Sequence, residues 1–126
     1  MTKLIFPQEL EVWYLLPAIR KRVALGLINQ GLSQKAIAEL MFVTEAAVSQ
    51  YKKEKRANDD FLGTKFNLEF INSVAKIKSN HQLFFPEVMK LNTLIKDSGV
   101  LCSLHKLKTT IELPCNNCEL NREVCL

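Results

Sequence analysis

The chain has 126 residues, of which 48% are hydrophobic and 24% charged, and its formal net charge is +4. A chain of this length and composition can bury a hydrophobic core, and four glycines with four prolines are too few for a disordered protein. No apolar run approaches the roughly 18 residues of a transmembrane helix, and the N-terminus lacks the pattern of a secretory signal. We therefore expect a cytoplasmic protein without a membrane partner.

Two helices are predicted at the N-terminus, because Pro7 and Pro17 each suit the first turn of a helix. In the second of these helices, aliphatic residues recur on one face, which is expected to pack against the rest of the domain. These residues are Ile19, Val23 and Leu27.

The segment from Gly31 to Tyr51 predicts two short helices joined by a tight turn. Ser33 and Thr44 are good N-caps, because a hydroxyl oxygen accepts a hydrogen bond from a free backbone N–H of the first turn. Phe42 stands in the turn, where a bulky residue disfavours a left-handed backbone. Residues at helical spacing are expected to face the core: Ala36, Ile37, Leu40 and Met41 in the first helix, and Ala47, Val48 and Tyr51 in the second.

The other face of the second helix is small, polar and basic. It carries Glu45, Ala46, Ser49, Gln50, Lys52 and Lys53. Small residues allow a helix to approach the major groove of DNA, amides and hydroxyls reach base edges, and lysines reach phosphates. The candidate DNA-contacting set is completed by residues at the starts of the two helices: Ser33, Gln34, Lys35 and Thr44. An ordinary pair of core helices is the alternative interpretation.

The pattern Gly-Leu-Ser-Gln-x-x-Ile-Ala-x-Leu, followed by Val-Thr-x-Ala-Ala-Val-Ser-x-Tyr, resembles the Cro/repressor-type helix-turn-helix family of transcription regulators. That family usually has glycine where this chain has Phe42 and often glutamine where it has Glu45. The resemblance implies a non-enzymatic protein that binds double-stranded DNA. The layout also resembles predicted prokaryotic regulators, notably archaeal ones, that join this motif to a cysteine-bearing C-terminal segment.

The positive charge is concentrated in the half of the chain that carries the motif. Residues 1–56 contain nine Lys or Arg and five Glu, whereas the remaining residues contain eight charged side chains of each sign. Such an excess is typical of a surface that replaces the counterions of phosphate. Three basic residues lie off the apolar stripe of the second N-terminal helix and are also expected to reach phosphates: Arg20, Lys21 and Arg22. A solvated helix end is the alternative for the basic run at 52–56.

Residues 58–99 predict two further helices, which we expect to pair two chains in a symmetric dimer, since regulators of this kind commonly bind two half-sites. The first is expected to begin near Asn58, and the second at Pro86 with an end at Gly99. Their apolar faces consist of Phe66, Phe70, Val74 and Ile77, and of Val88, Leu91 and Ile95. Folding of these faces onto the chain's own domain is the alternative.

All four cysteines lie in the last 25 residues, and Cys115 with Cys118 forms a C-x₂-C pair. Thiolates are soft ligands that suit iron–sulfur clusters and zinc. We expect Cys102, Cys115, Cys118 and Cys125 to hold an iron–sulfur cluster that reports iron, oxygen or redox state. The alternative is a structural zinc site in which His105 replaces Cys125 as a ligand. Disulfides and a thiol oxidoreductase are weaker alternatives, because the cytosol is reducing and a βαβ pattern is absent.

The sequence thus predicts an all-α fold in three parts. These are a helix-turn-helix DNA-binding domain over 1–57, a helical dimerisation region over 58–99 and a short cysteine-rich metal-binding segment over 100–126. We expect no enzymatic activity and no small-molecule substrate, because paired carboxylates, a nucleophile–base set and a glycine-rich phosphate loop are all missing from the sequence. An antitoxin-like protein-interaction module is the alternative of a different class.

Overall fold

A computed structural model of the chain describes residues 4–53 and 60–108. Within these two ranges every regular element is helical, which confirms the predicted all-α class. None of the described helices is both long and apolar enough to cross a membrane. Three of the expected metal ligands, Cys115, Cys118 and Cys125, lie outside the described residues.

The helices are joined by short connections. They are α1 (Pro7–Leu10), a π-helical turn (Glu11–Leu15), α2 (Leu16–Asn29), α3 (Gln34–Met41), α4 (Glu45–Lys52), α5 (Asn67–Ser79), α6 (Phe84–Asp97) and α7 (Val100–Lys108). Short 3₁₀ turns at Asp60–Leu62 and His81–Leu83 precede α5 and α6. The helix expected to begin near Asn58 thus begins at Asn67, whereas α6 ends just before Gly99 as predicted.

The N-terminal segment is one continuous helix and not the two that were predicted. The backbone stays helical between α1 and α2, and in the π turn the amide of Leu16 donates to the carbonyl of Glu11, five residues earlier. Pro17 has no amide hydrogen, and its ring would clash with the carbonyl four residues before it in a regular α-helix. A wider turn just ahead of Pro17 accommodates the ring, so the proline does not start a new helix.

A single hydrophobic core includes residues from the predicted DNA-binding region, 1–57, and from the predicted dimerisation region, 58–99. The core extends along the chain from Ile5 to Leu104. Helix α2 contacts α3, α4, α5 and α6. At Gly26 of α2, an added Cβ would lie 2.7 Å from Cγ2 of Val74 in α5. Because this distance is too short for two carbons, only glycine allows these helices to approach so closely.

The apolar faces of α5 and α6 are buried inside the same chain. The buried residues include all those expected to pair two chains: Phe66, Phe70, Val74, Ile77, Val88, Leu91 and Ile95. They pack against α2 and against one another, because α2 offers an apolar stripe within the same chain. The alternative interpretation is therefore correct for these faces, and a dimer interface requires other residues.

Helix α7 packs against α6 and against the start of the chain. Nε2 of the buried His105 lies 2.7 Å from the carbonyl oxygen of Ile5. Since a carbonyl only accepts hydrogen bonds, Nε2 carries the proton in this contact. Glu11 holds the N-terminal helix to α6 in a similar way, through Nζ of Lys96 at 3.2 Å and Nδ2 of Asn92 at 3.3 Å.

Candidate nucleic-acid interface

Helices α3 and α4 form with the two caps that the sequence predicts. Oγ of Ser33 accepts a hydrogen bond from the amide of Ala36 at 3.1 Å. Oγ1 of Thr44 accepts one from the amide of Ala47 at 3.0 Å. The apolar residues predicted to face the core are buried, apart from the half-buried Ala36: Ile37, Leu40, Met41, Ala47, Val48 and Tyr51. Both helices also contact α2, which fixes the pair on the core.

The turn between α3 and α4 is left-handed at Phe42, with φ 58° and ψ 41°. The amide of Val43 donates to the carbonyl of Ala38 at 3.0 Å, and that of Phe42 to the carbonyl of Glu39 at 3.4 Å. These two bonds define a Schellman helix end, whose left-handed position glycine normally occupies. Helix α2 ends with the same bonds around Gly31. The turn of α3 therefore has the shape expected of the motif, with a strained residue at its centre.

The predicted DNA-contacting residues lie mostly on the protein surface. The exposed ones are Ser33, Lys35, Thr44, Glu45, Ala46, Gln50, Lys52 and Lys53, whereas Gln34 and Ser49 are half-buried. Helices α3 and α4 pack against each other. Glu45 is the sole carboxylate of α4, and it lies in the first turn, where a negative charge is favoured by the helix dipole. The exposed face of α4 is otherwise small, polar or basic.

Two of the three basic residues expected to reach phosphates from α2 are packed within the protein. Lys21 is buried, and only Arg20 is exposed. Arg22 donates from Nη2 to the carbonyl of Gly63 at 2.7 Å, and its guanidinium lies 5.5 Å from the ring centroid of Phe70. A guanidinium stacks readily on an aromatic ring. The expectation is thus wrong for the buried Lys21, whereas the half-buried Arg22 is engaged by α5 and by the segment before it.

The described part of the cysteine segment is α7, which carries Cys102 and His105 on one buried face. Nε2 of His105 is engaged by Ile5, which leaves Nδ1 as the nitrogen able to bind a metal. Cys102 is disulfide-bonded in the structure. Among the described residues, no three potential ligands form a group that holds a metal. Since Cys115, Cys118 and Cys125 lie outside the described residues, the proposed ligand set stays a prediction.

An aromatic pocket that the sequence analysis did not predict lies beside the motif. It has a volume of about 420 Å³, and it is lined by Leu40, Phe42, His81, Gln82, Phe84 and Phe85. Phe42 and Phe85 project from it, with 91% and 72% of their surfaces exposed. The consecutive phenylalanines before Pro86 were a signal in the sequence, but their proximity to Phe42 depends on the tertiary fold.

Comparisons with known proteins do not place the chain in a family. No protein-family model matches it, and no solved structure does. The chain is similar to the tetratricopeptide repeat-containing protein trd-1 of Caenorhabditis elegans, with 29% identity over 98 residues. The match covers 78% of this chain but 12% of that protein, so this chain spans about an eighth of the relative's length. The name of that protein refers to its repeats.

Proposed function

We propose that the chain is a sequence-specific DNA-binding regulator of the helix-turn-helix type. The observation that carries this proposal is the pair α3–α4, capped at Ser33 and Thr44, with one face of α4 in the core and a polar, basic face in solvent. Helix α4 has eight residues. At 1.5 Å per residue it is about 12 Å long, and a helix enters the major groove readily.

The exposed residues of α4 divide into two chemical roles. Gln50 carries an amide that donates and accepts at once, which suits the base edge of adenine. Lys53 follows the last turn of α4 and is exposed, so its ammonium group can contact a DNA phosphate. Such a contact strengthens binding but does not distinguish between base sequences. Ser33 and Lys35 lie at the start of α3, where free amides and a lysine suit a phosphate of the flanking backbone.

The test separates sequence reading from phosphate binding. Duplexes that bind the wild-type chain are first selected from a random library, and their affinities are compared with those of random DNA at several salt concentrations. We expect Gln50→Ala to reduce the preference for selected DNA by about 10-fold. Lys53→Ala should weaken both kinds of duplex equally and reduce the salt slope by about one phosphate contact.

The matched control is Lys90→Ala, which removes an exposed lysine from α6, away from the motif. It should leave both affinities and the salt slope unchanged. Failure to enrich any duplex would overturn the proposal. Equal losses from Lys90→Ala and Lys53→Ala would show that binding is general attraction to a basic chain and not docking of α4.

We further propose that the cysteines hold an iron–sulfur cluster in a cytoplasmic protein and that its loss changes DNA binding. Binding of a cluster requires reduction of the disulfide at Cys102, which a reducing cytoplasm favours. The support is that α7 carries Cys102 and also touches both α6 and the N-terminal helix, so a change at the cysteines reaches the core. Anaerobic purification followed by visible absorption, iron, zinc and sulfide analysis tests this. Brown protein that contains iron and sulfide supports the cluster, whereas colourless protein with one zinc per chain indicates a structural zinc site.

Metal-free protein after anaerobic purification under reducing conditions would contradict both metal sites. If two further thiols per chain appear when reductant is added to oxidised protein, the result favours the disulfide at Cys102. If Cys115→Ala leaves cofactor content and DNA affinity unchanged, the proposed sensing mechanism is wrong.

A protein-interaction module is the second candidate. The similarity to a tetratricopeptide repeat-containing protein favours it, since such repeats are helical binding scaffolds. A stoichiometric protein partner that co-purifies with the chain, together with the failure of the library selection, would favour this function over DNA binding.

A further inference from the structure

Phe42 has an exposed ring and a left-handed backbone, and neither feature stabilises an isolated chain. Its side chain is 91% exposed, and its backbone is left-handed. Both features are unfavourable in an isolated chain, because the ring is left in water and the Cβ crowds the backbone. The two hydrogen bonds of the Schellman turn hold this backbone, but they do not require a phenylalanine. The exposed ring therefore indicates a contact outside the chain.

The surface around Phe42 combines projections with a recess. We name it the aromatic patch and define it as Leu40, Phe42, Phe84 and Phe85, together with the pocket of about 420 Å³ that they line. Phe85 projects beside the pocket and is 72% exposed. In a two-fold dimer, the projecting rings of each copy can enter the pocket of the other copy, so this surface can be complementary to itself.

We infer that the aromatic patch is covered by a second copy of this chain in a two-fold dimer. The pocket lining contains no Lys, Arg, Asp or Glu. Two chains of net charge +4 repel each other generally, so they approach best where the surface carries no charge. The same lack of cations makes the patch unsuited to DNA phosphate.

The exposed area indicates a weak dimer. An aromatic side chain buries about 150–250 Å² when covered, so Phe42 and Phe85 from two copies contribute roughly 650 Å². Stable interfaces bury about 1,200–2,000 Å². Met89, half exposed and one turn after Phe85 on α6, enlarges the area. We therefore expect a dissociation constant of about tens to hundreds of micromolar for the dimer. Pairing should be stronger on a DNA duplex with two half-sites, because the duplex holds the two copies close together.

This interface is different from the faces that fill the core, and it does not depend on DNA binding. Sedimentation equilibrium of the full chain without DNA tests it. The wild type should show a reversible monomer–dimer equilibrium. Phe42→Gly and Phe85→Ser should each raise the dissociation constant about 10-fold or more, as expected for aromatic anchors of an interface. The matched control Leu68→Ser, at a 66% exposed position on α5 outside the patch, should leave it unchanged.

Loss of the dimer in Phe42→Gly cannot result from unfolding, because glycine suits the left-handed backbone better than phenylalanine. Raised salt should not dissociate the dimer, since no Lys, Arg, Asp or Glu lines the pocket of the patch. A wild type that remains monomeric at millimolar concentration would overturn the inference, as would a dimer that is indifferent to both patch substitutions. On a duplex with a single half-site, where pairing of two copies cannot contribute, weaker binding by the monomeric Phe42→Gly variant would assign the patch to DNA and would also overturn the inference.

Discussion

Replacement of Phe42 by glycine and by alanine separates the strain of the turn from the contribution of the ring. Phe42→Ala removes the exposed ring but keeps the Cβ that crowds the left-handed backbone. Phe42→Gly removes both. The difference between the two variants therefore reports the backbone alone, at φ 58° and ψ 41°.

The magnitude follows from two opposing terms. A left-handed conformation costs a residue with a Cβ about 1–2 kcal/mol. The glycine variant avoids this cost, but its free energy of unfolding falls by about 0.4–1 kcal/mol because glycine gives the unfolded chain more conformational freedom. The glycine variant should thus exceed the alanine variant by about 1 kcal/mol in the free energy of unfolding, which raises Tm by about 3–6 °C for a chain of this size.

The assay is denaturant unfolding followed by circular dichroism at low protein concentration, where the chain is monomeric. The same pair of substitutions at Glu39, exposed in the middle of α3, is the control. There alanine should be the more stable by about 1 kcal/mol, because the backbone is right-handed. The reasoning is refuted if alanine equals or exceeds glycine at position 42, since the turn would then not be left-handed in solution.

Three further predictions concern contacts that hold the helices in place. Gly26→Ala should destabilise the fold by about 1–3 kcal/mol, because its Cβ would meet Val74 at 2.7 Å; an effect below about 0.5 kcal/mol would mean that α5 moves aside easily. Ser33→Ala should cost about 1 kcal/mol of unfolding free energy through the lost cap, whereas Ser33→Asp should not. His105→Phe should destabilise by about 1–3 kcal/mol, because the carbonyl of Ile5 loses its donor, and a neutral result would contradict that bond.

The sequence predicts the parts of the fold that depend on local interactions. The caps at Ser33 and Thr44 are correct because the donor of each bond is three residues from its acceptor. The buried faces of α3 and α4 follow helical periodicity for the same reason. For Phe42, the sequence allowed either a different turn or a strained one, and the structure has the left-handed, strained turn.

The remaining features depend on contacts between residues far apart in the chain. Arg22 has the pattern of an exposed basic residue, but Gly63 and Phe70 lie more than forty residues away in sequence and bind it. Helical periodicity identified the apolar faces of α5 and α6 but not their partner, which is α2 of the same chain. Pro17 is ambiguous in sequence, because a proline starts a helix in most contexts and is tolerated after a π turn in a few.

The contact between His105 and Ile5 has a consequence for the order of folding. The two residues are 100 positions apart, whereas the contacts of α3 with α4 join residues close in sequence. Contacts of short sequence separation form early, and distant ones carry a larger loop-closure cost. On the ribosome, the helix pair can therefore assemble as soon as α2 to α4 have emerged. The N-terminal helix can contact α7 only after α7 has emerged, so this end of the core stays incomplete in the nascent chain until then.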